Sequence, residues 1–203
     1  MILDDLNEKI NNAAKIVNKG GIIAYPTDTV YGLGCNPKNE RSVERLFEIK
    51  KRENKAIPIL FNNEENIEKF VYLTEQEKWI GKKFWPGALT IISRIRENVN
   101  LPSLIHQNSG YIGVRIPKSE IALKLIEKCG GCITGTSANI SGEASSRNML
   151  QVKKAFGDKI DYIVDGGELK AKESTIIKIE GNKVIFLREG ELKNQIDEYL
   201  DPV

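Results

Sequence analysis

No apolar run in the 203 residues approaches the roughly 18 that a membrane-spanning helix needs, so the chain reads as soluble and without membrane contact. Its start, MILDDLNEKI, lacks the basic residues and apolar core of a secretory signal, and a cytoplasmic location is expected. Three cysteines cannot all pair, and in that compartment they are expected to be reduced. Cys129 and Cys132 have C-x-x-C spacing, but no second pair completes a zinc site. The single histidine, His106, cannot anchor a His-rich metal site and reads as a solvated loop residue. A formal charge of +2 excludes the strongly basic composition of a dedicated nucleic-acid binder, so any positive site must be local. The sequence has no G-x-x-x-x-G-K-[ST] run, and Gly32-Leu33-Gly34 is not followed by the third glycine of a dinucleotide fingerprint. Gly135-Thr136-Ser137-Ala138-Asn139 begins like a hydrolase nucleophile elbow, but Asn139 stands where that turn needs glycine.

Alternating helical and extended patterns fill the chain. Leu6, Ile10, Ala13, Ala14 and Val17 lie at helical spacing over residues 4 to 19, and Gly20-Gly21 stops them. Residues 22 to 25, 57 to 61, 89 to 95, 111 to 116, 132 to 135 and 162 to 164 read as strands. Thr74 and Glu77 have capping-box spacing for a helix that turns Trp79 and Phe84 inward. Helical stripes recur around Ile121 to Ile126, Met149 to Phe156 and Leu192 to Leu200, and Gly181-Asn182 joins residues 175 to 179 and 183 to 187 as a hairpin. Trp79, Phe84 and Phe156 read as core. The expected fold is α/β, a single domain over residues 1 to 203 with one twisted sheet of mixed parallel and antiparallel strands flanked by helices.

Residues 20 to 60 organise the rest. An apolar run, Ile22 to Tyr25, ends at Pro26, and Thr27, Asp28 and Thr29 follow at the carboxyl end of the strand, where open α/β sheets bind ligands. Gly32 and Gly34 release the backbone into a helix marked by Val43, Leu46, Phe47 and Ile49, making one βα passage that closes on Lys50, Lys51, Arg52 and Lys55. Cations at a helix end complement its dipole by roughly 0.3–1 kcal/mol each and need no ligand. A second polar loop, residues 135 to 145, also follows a short apolar run, and two such loops imply a shared pocket. Lys50, Arg52, Lys55, Arg115 and Arg188 with Thr29, Ser137, Asn139, Ser141, Ser145 and Ser174 form an inventory for holding anions. It suits phosphoryl or nucleotidyl transfer, in which positioning and charge neutralisation carry most of the catalysis. A module that binds double-stranded RNA or tRNA is the alternative.

Six motifs in order, YPTDTVYGLG, Lys50-x-Arg52, WPGALT, GVRIP, TSANISG, and EST followed by LREG, resemble the YrdC-like family of threonylcarbamoyl-adenylate synthases. Because the chain stops soon after its closing helix, it resembles the short members without an extra C-terminal domain. The resemblance implies a nucleotidyltransferase that joins ATP, L-threonine and bicarbonate into threonylcarbamoyl-AMP and pyrophosphate, for a downstream tRNA threonylcarbamoyl transferase. Magnesium is expected to come with ATP on its phosphates, with no metal site of the protein's own, and any tRNA contact is expected to be weak. Carried over position by position, Lys50, Arg52, Ser137 and Asn139 line the nucleotide and carbamate region as the catalytic set. Thr29, Leu60, Arg115 and Ser174 meet threonine, with Arg115 taking its carboxylate. Arg52, Lys55, Tyr111, Ser137, Ser145 and Arg188 meet ATP, although Lys55 stands three residues after Arg52 where the family usually leaves four.

Overall fold

The computed structural model of the chain describes residues 2–52, 55–181 and 183–200. Helix α1 (Ile2–Asn18) turns Ile10, Ala13, Ala14 and Val17 inward and ends as the chain enters strand β1 (Ile23–Pro26), all four of whose residues are buried. The passage that follows differs from a simple βα unit. Tyr31–Gly34 form a second strand, β2, that pairs antiparallel with β1 around the turn at Thr27–Val30. Here the glycines serve packing rather than turning. A Cβ on Gly34 would stand 2.5 Å from Ile133 Cδ1 and 2.7 Å from Tyr25 Cε1, so a side chain there would wedge the hairpin off its neighbours. Helix α2 (Glu40–Lys50) then starts at Asn39, whose side chain accepts from Ser42 N, and ends with Lys51 in the left-handed region.

The mixed pairing expected of the strands is present, but they divide into two sheets. The larger contains β3 (Ile59–Phe61), β4 (Val71–Tyr72), β5 (Leu89–Ile95), β6 (Tyr111–Arg115), β7 (Cys132–Thr134), β10 (Thr175–Glu180) and β11 (Lys183–Arg188). Its order is β11-β10-β5-β6-β3-β7, with β4 beside β5. The smaller has the order β8-β2-β1-β9, where β8 is Thr136–Ser137 and β9 is Tyr162–Ile163. Gly135 is the crossing point: β7 belongs to one sheet, β8 to the other, and the Gly135 N–H donates to Pro58 O at 2.8 Å. A continuous apolar core joins the sheets, with Tyr31 and Leu33 of the small sheet packed among Phe61, Ile91 and Val114 of the large one. A second cluster seats α1 and α6 (Glu120–Lys128) over β1, Leu60 and Ile133.

Helix α4 (Glu75–Phe84) carries the capping box that Thr74 and Glu77 announce, but its aromatic face is not the expected one. Glu77, Ile80 and Gly81 face inward, whereas Trp79 is 50% exposed and stacks on Tyr199 of α8 (Lys193–Leu200) at 4.3 Å between centroids. The inward tryptophan is Trp85, just past the helix, whose Nε1 donates to Leu89 O at 2.8 Å. Phe84 is partly buried against the core, and Phe156, at the end of α7 (Met149–Phe156), lies within it. Two short helices, α3 (Glu64–Glu68) and α5 (Ser103–His106), complete the fold. His106 ends α5 instead of lying in an open loop; it is half-buried, and its Nδ1 is buried with no hydrogen-bond partner among the described residues.

Segment 188–191 closes against 172–174: the Glu191 N–H donates to Glu173 O, and the Lys172 N–H to Glu191 Oε2. Gly190 allows this approach, because an added Cβ would overlap the backbone carbonyls of Glu173 and Ser174. Gly190→Ala should therefore lower the unfolding free energy by about 1–3 kcal/mol, the usual cost of overpacking. Denaturant titration checks this; an unchanged midpoint would mean that the two segments separate freely.

Candidate active site

The cleft lies where the two sheets meet. Strand β6 runs antiparallel to β5, and β10 runs parallel to β5, so the end of β6 and the start of β10 fall at the same edge of the large sheet. Arg115 closes β6, Ser174 immediately precedes β10, and Leu60 on β3 is the register partner of Arg115. The β1–β2 turn faces this edge from the small sheet, and Gly135 to Ser137 form the wall between. The enclosed volume is about 110 Å³. That is below the roughly 300–1,000 Å³ of a typical small-molecule pocket, so the cleft encloses a small ligand or one end of a larger one.

Arg115 is the most buried of the three arginines that line the cleft, with 5% of its surface exposed. Its Nε donates to Gly87 O at 2.9 Å and its Nη2 to Asp28 Oδ1 at 2.6 Å, which fixes the plane of the fork. Burial pulls its pKa down and Asp28 opposes that. Thr29 Oγ1 lies 3.4 Å from both Nη1 and Nη2, at the long limit of a hydrogen bond. Donor capacity thus remains on Nη1, beside a hydroxyl pair in which Thr27 Oγ1 and Thr29 Oγ1 are 3.0 Å apart. A planar guanidinium held in this way is suited to a carboxylate.

Arg188, at the end of β11, is tied to the other wall. Its Nε donates to Ser174 O at 2.8 Å, its Nη2 to Ser174 Oγ at 2.8 Å and its Nη1 to Glu173 Oε2 at 2.7 Å. Ser174 Oγ also lies 3.1 Å from Thr90 Oγ1. Glu173 accepts a further hydrogen bond from Ser145 Oγ, bringing the 138–148 loop to the same wall. Burial lowers the Arg188 pKa, with Glu173 opposing and Arg115 adding to it.

Arg52 forms the third cationic side, its Nε bonded to Lys55 O at 2.8 Å and its Nη2 to Ala56 O at 2.7 Å. Burial lowers its pKa, and Arg188 lowers it further. Lys50 is placed differently. It is 1% exposed, and its Nζ donates to Ser137 O at 2.5 Å and Asn139 O at 2.7 Å, so the ammonium clamps the end of α2 to the 137–139 turn. Burial pulls its pKa down to about 7, with Arg52 adding to the effect and Glu173 opposing it. Within that turn Ser137 Oγ donates to Asn139 Oδ1 at 2.6 Å, and Asn139 Nδ2 donates to Ile140 O and Glu143 O.

The structure brings Thr29, Arg52, Leu60, Arg115, Ser137, Ser174 and Arg188 onto the lining of one cleft. Lys50, Asn139 and Ser145 stand directly behind that lining, bonded to its members. Two residues lie apart from it. The Lys55 side chain is exposed, and Tyr111 sits at the opposite end of β6 from Arg115 with Lys178 Nζ over its ring at 5.0 Å. Of the acidic partners of the two wall arginines, Asp28 was named from the sequence only as part of the Thr27–Thr29 loop and without a partner, and Glu173 was not singled out, although it adjoins Ser174, which was. Each lies inside a quoted motif, as the lone carboxylate beside Thr or Ser, and that is the signal that marks them.

Known proteins match this chain over most of its length. The family model Sua5_yciO_yrdC, described as telomere recombination, matches residues 15–190. A protein of Methanocaldococcus jannaschii is 40% identical over 178 residues, covering 87% of this chain and 83% of its own length. The threonylcarbamoyl-AMP synthase of Pyrococcus abyssi is 39% identical over 187 residues, which is 91% of this chain and 54% of that protein. The crystal structure of P. abyssi Sua5 complexed with L-threonine superposes with a TM-score of 0.89 at 37% identity, over 95% of this chain and 57% of that one. The chain thus spans a little over half the length of the P. abyssi protein.

The buried lysine generates a pH signature. An unfolded lysine keeps its proton up to about 10.5, whereas folded Lys50 releases it near 7. Between those values the unfolded state binds more protons, so stability should rise with pH there. Measured against Lys50→Met by denaturant unfolding at several pH values, the wild type should gain stability steadily from about pH 7 to about pH 10. A constant difference across that range would show that Lys50 stays charged in the fold.

Proposed function

The chain belongs to the Sua5/YciO/YrdC family, and we propose on that basis that it condenses ATP, L-threonine and bicarbonate into threonylcarbamoyl-AMP and pyrophosphate. The observation that carries this reading is the convergence of Arg52, Arg115 and Arg188 on one cleft lined with threonine and serine hydroxyls. The reaction must bring anions together. The threonine ammonium group gives up a proton, and the free amine combines with bicarbonate, losing water, to give a carbamate. A carbamate oxygen then attacks the α-phosphorus, and the bond to the departing pyrophosphate breaks. At 4 Å and an effective dielectric near 20, two unit charges repel by about 4 kcal/mol, and a cleft with three guanidinium groups offsets that repulsion without supplying a nucleophile.

Within this reading Arg115 seats the threonine carboxylate beside Thr29, with Leu60 and Ser174 bounding the amino acid. Arg52 and Arg188, with Ser137 and Ser145, face the polyphosphate, and Lys50 and Asn139 hold the 137–139 turn in shape. Lys55 and Tyr111 would meet ATP only at its exposed end. Among the described residues no group of three His, Cys, Asp or Glu side chains could hold a metal ion, and the two carboxylates at the cleft are engaged by arginines. Magnesium brought with ATP would be held by the phosphates themselves and would neutralise part of their charge. The product is a mixed anhydride, consumed by a tRNA threonylcarbamoyl transferase, so the chain works as one domain in tRNA modification. Converging arginines in a small cleft suit nucleotide chemistry better than a duplex backbone, and with a net charge of +2 any tRNA contact is weak. No helix among the described residues is long and apolar enough to cross a membrane.

Because the nucleophile does not exist until threonine and bicarbonate combine, pyrophosphate release from ATP should require both and should proceed without RNA. Release at full rate with threonine omitted would contradict the proposed reaction.

A further inference from the structure

Among the described residues lining the cleft, Glu173 is the one carboxylate, and its position is that of an anion bound in the site. One oxygen, Oε2, accepts from Arg188 Nη1 at 2.7 Å, and the other, Oε1, accepts from Ser145 Oγ. The same carboxylate draws the Lys50 pKa upward, so it is close enough to feel that ammonium as well. A guanidinium N–H and a serine hydroxyl converging on two oxygens of one group form the donor set that a phosphate would use. The backbone at Glu173 is fixed by Glu191 N, but its side chain is 35% exposed and that of Arg188 is 37% exposed, so the carboxylate has solvent to turn into.

We infer that Glu173 is an internal counter-anion, which holds a phosphate position between Arg188 and Ser145 and is displaced when a polyphosphate enters. This rests on the nucleotide reading of the cleft and adds a competitor to it. Without ligand the carboxylate offsets the repulsion between Arg188 and its neighbours: burial is the main cause of the lowered Arg52 and Arg188 values, Arg188 lowers Arg52 further, and at Arg188 the Glu173 carboxylate opposes the burial while Arg115 adds to it. With ligand, a phosphate oxygen takes over both donors, and every ligand that places phosphate there must first break the Glu173 contacts. Ligands whose phosphates do not reach Arg188 escape this penalty, so the contact weighs only against ligands that place a phosphate between Arg188 and Ser145.

The test is calorimetric titration of ATP and of inorganic pyrophosphate into wild type, Glu173→Gln and Glu173→Asp, each with a thermal melt. Breaking a half-exposed ion pair corresponds to a few-fold change, so Glu173→Gln should bind both ligands roughly three- to tenfold more tightly than wild type. Its affinity should also fall more steeply with added salt. Glu173→Asp, too short to bridge Arg188 and Ser145, should tighten binding as well. Unchanged or weaker binding in Glu173→Gln would overturn the inference and make Glu173 a support for Arg188. Loss of folding in both variants would also overturn it, by making the contact structural. Failure of the wild type to bind either ligand would instead overturn the nucleotide reading itself.

Discussion

A buried guanidinium holds this molecule's two sheets in register. Arg115 belongs to the large sheet and Asp28 to the hairpin turn of the small one, and their 2.6 Å contact is nearly sealed from solvent, with side-chain exposures of 6% and 13%. Burying a charge carries a desolvation penalty that one good ion pair only partly offsets. The remaining hydrogen bonds therefore matter: the Gly87 carbonyl fixes Nε, and Thr29 stands within reach of both terminal nitrogens. Such an arrangement stays incomplete without a further acceptor at Nη1. The hairpin turn, the crossing at Gly135 and the close approach of 188–191 to Ser174 can all be seen as walls built around that donor.

The other cations follow a similar rule at higher exposure. Arg188 is neutralised by Glu173, and Arg52 is held by backbone carbonyls of the segment that follows α2. Lys50 is satisfied by carbonyls alone and has no carboxylate bonded to it among the described residues. Among the described residues the cleft thus holds more positive charge than its two carboxylates balance, and the excess faces inward. An anionic ligand relieves this strain on the charges, and a neutral one does not.

Much of this was legible in the sequence, because the informative residues are punctuated. Helix positions could be read locally from their apolar stripes and, at Thr74 with Glu77, from the capping box, while the caps at Asn39, Ser119 and Asn148 emerge from the structure. The division into two sheets could not be read this way. It depends on Gly135, where a run of apolar and small residues that looks like one short strand passes between sheets. Strand β2 was hidden for a related reason: YGLG has the composition of a loop, yet its glycines lie extended under Tyr25 and Ile133. Trp79 misled because helical spacing alone does not say which of two neighbouring tryptophans turns inward. In the cleft the residue types were legible and the pairings were not, since Arg115 and Asp28 are 87 positions apart.

The most direct measurement is the affinity of threonine and of ATP for Arg115→Ala and Arg115→Lys, by calorimetric titration with a thermal melt of each variant. A charge-assisted hydrogen bond contributes about 1.5–3 kcal/mol. If the buried fork is the seat of the amino-acid carboxylate, Arg115→Ala should bind threonine roughly ten- to a hundredfold more weakly while its ATP affinity stays near that of the wild type. Arg115→Lys, which keeps the charge but loses the planar fork, should recover only part of the loss. Normal threonine binding together with lost ATP binding in a folded Arg115→Ala protein would contradict that assignment and move the amino acid elsewhere in the cleft.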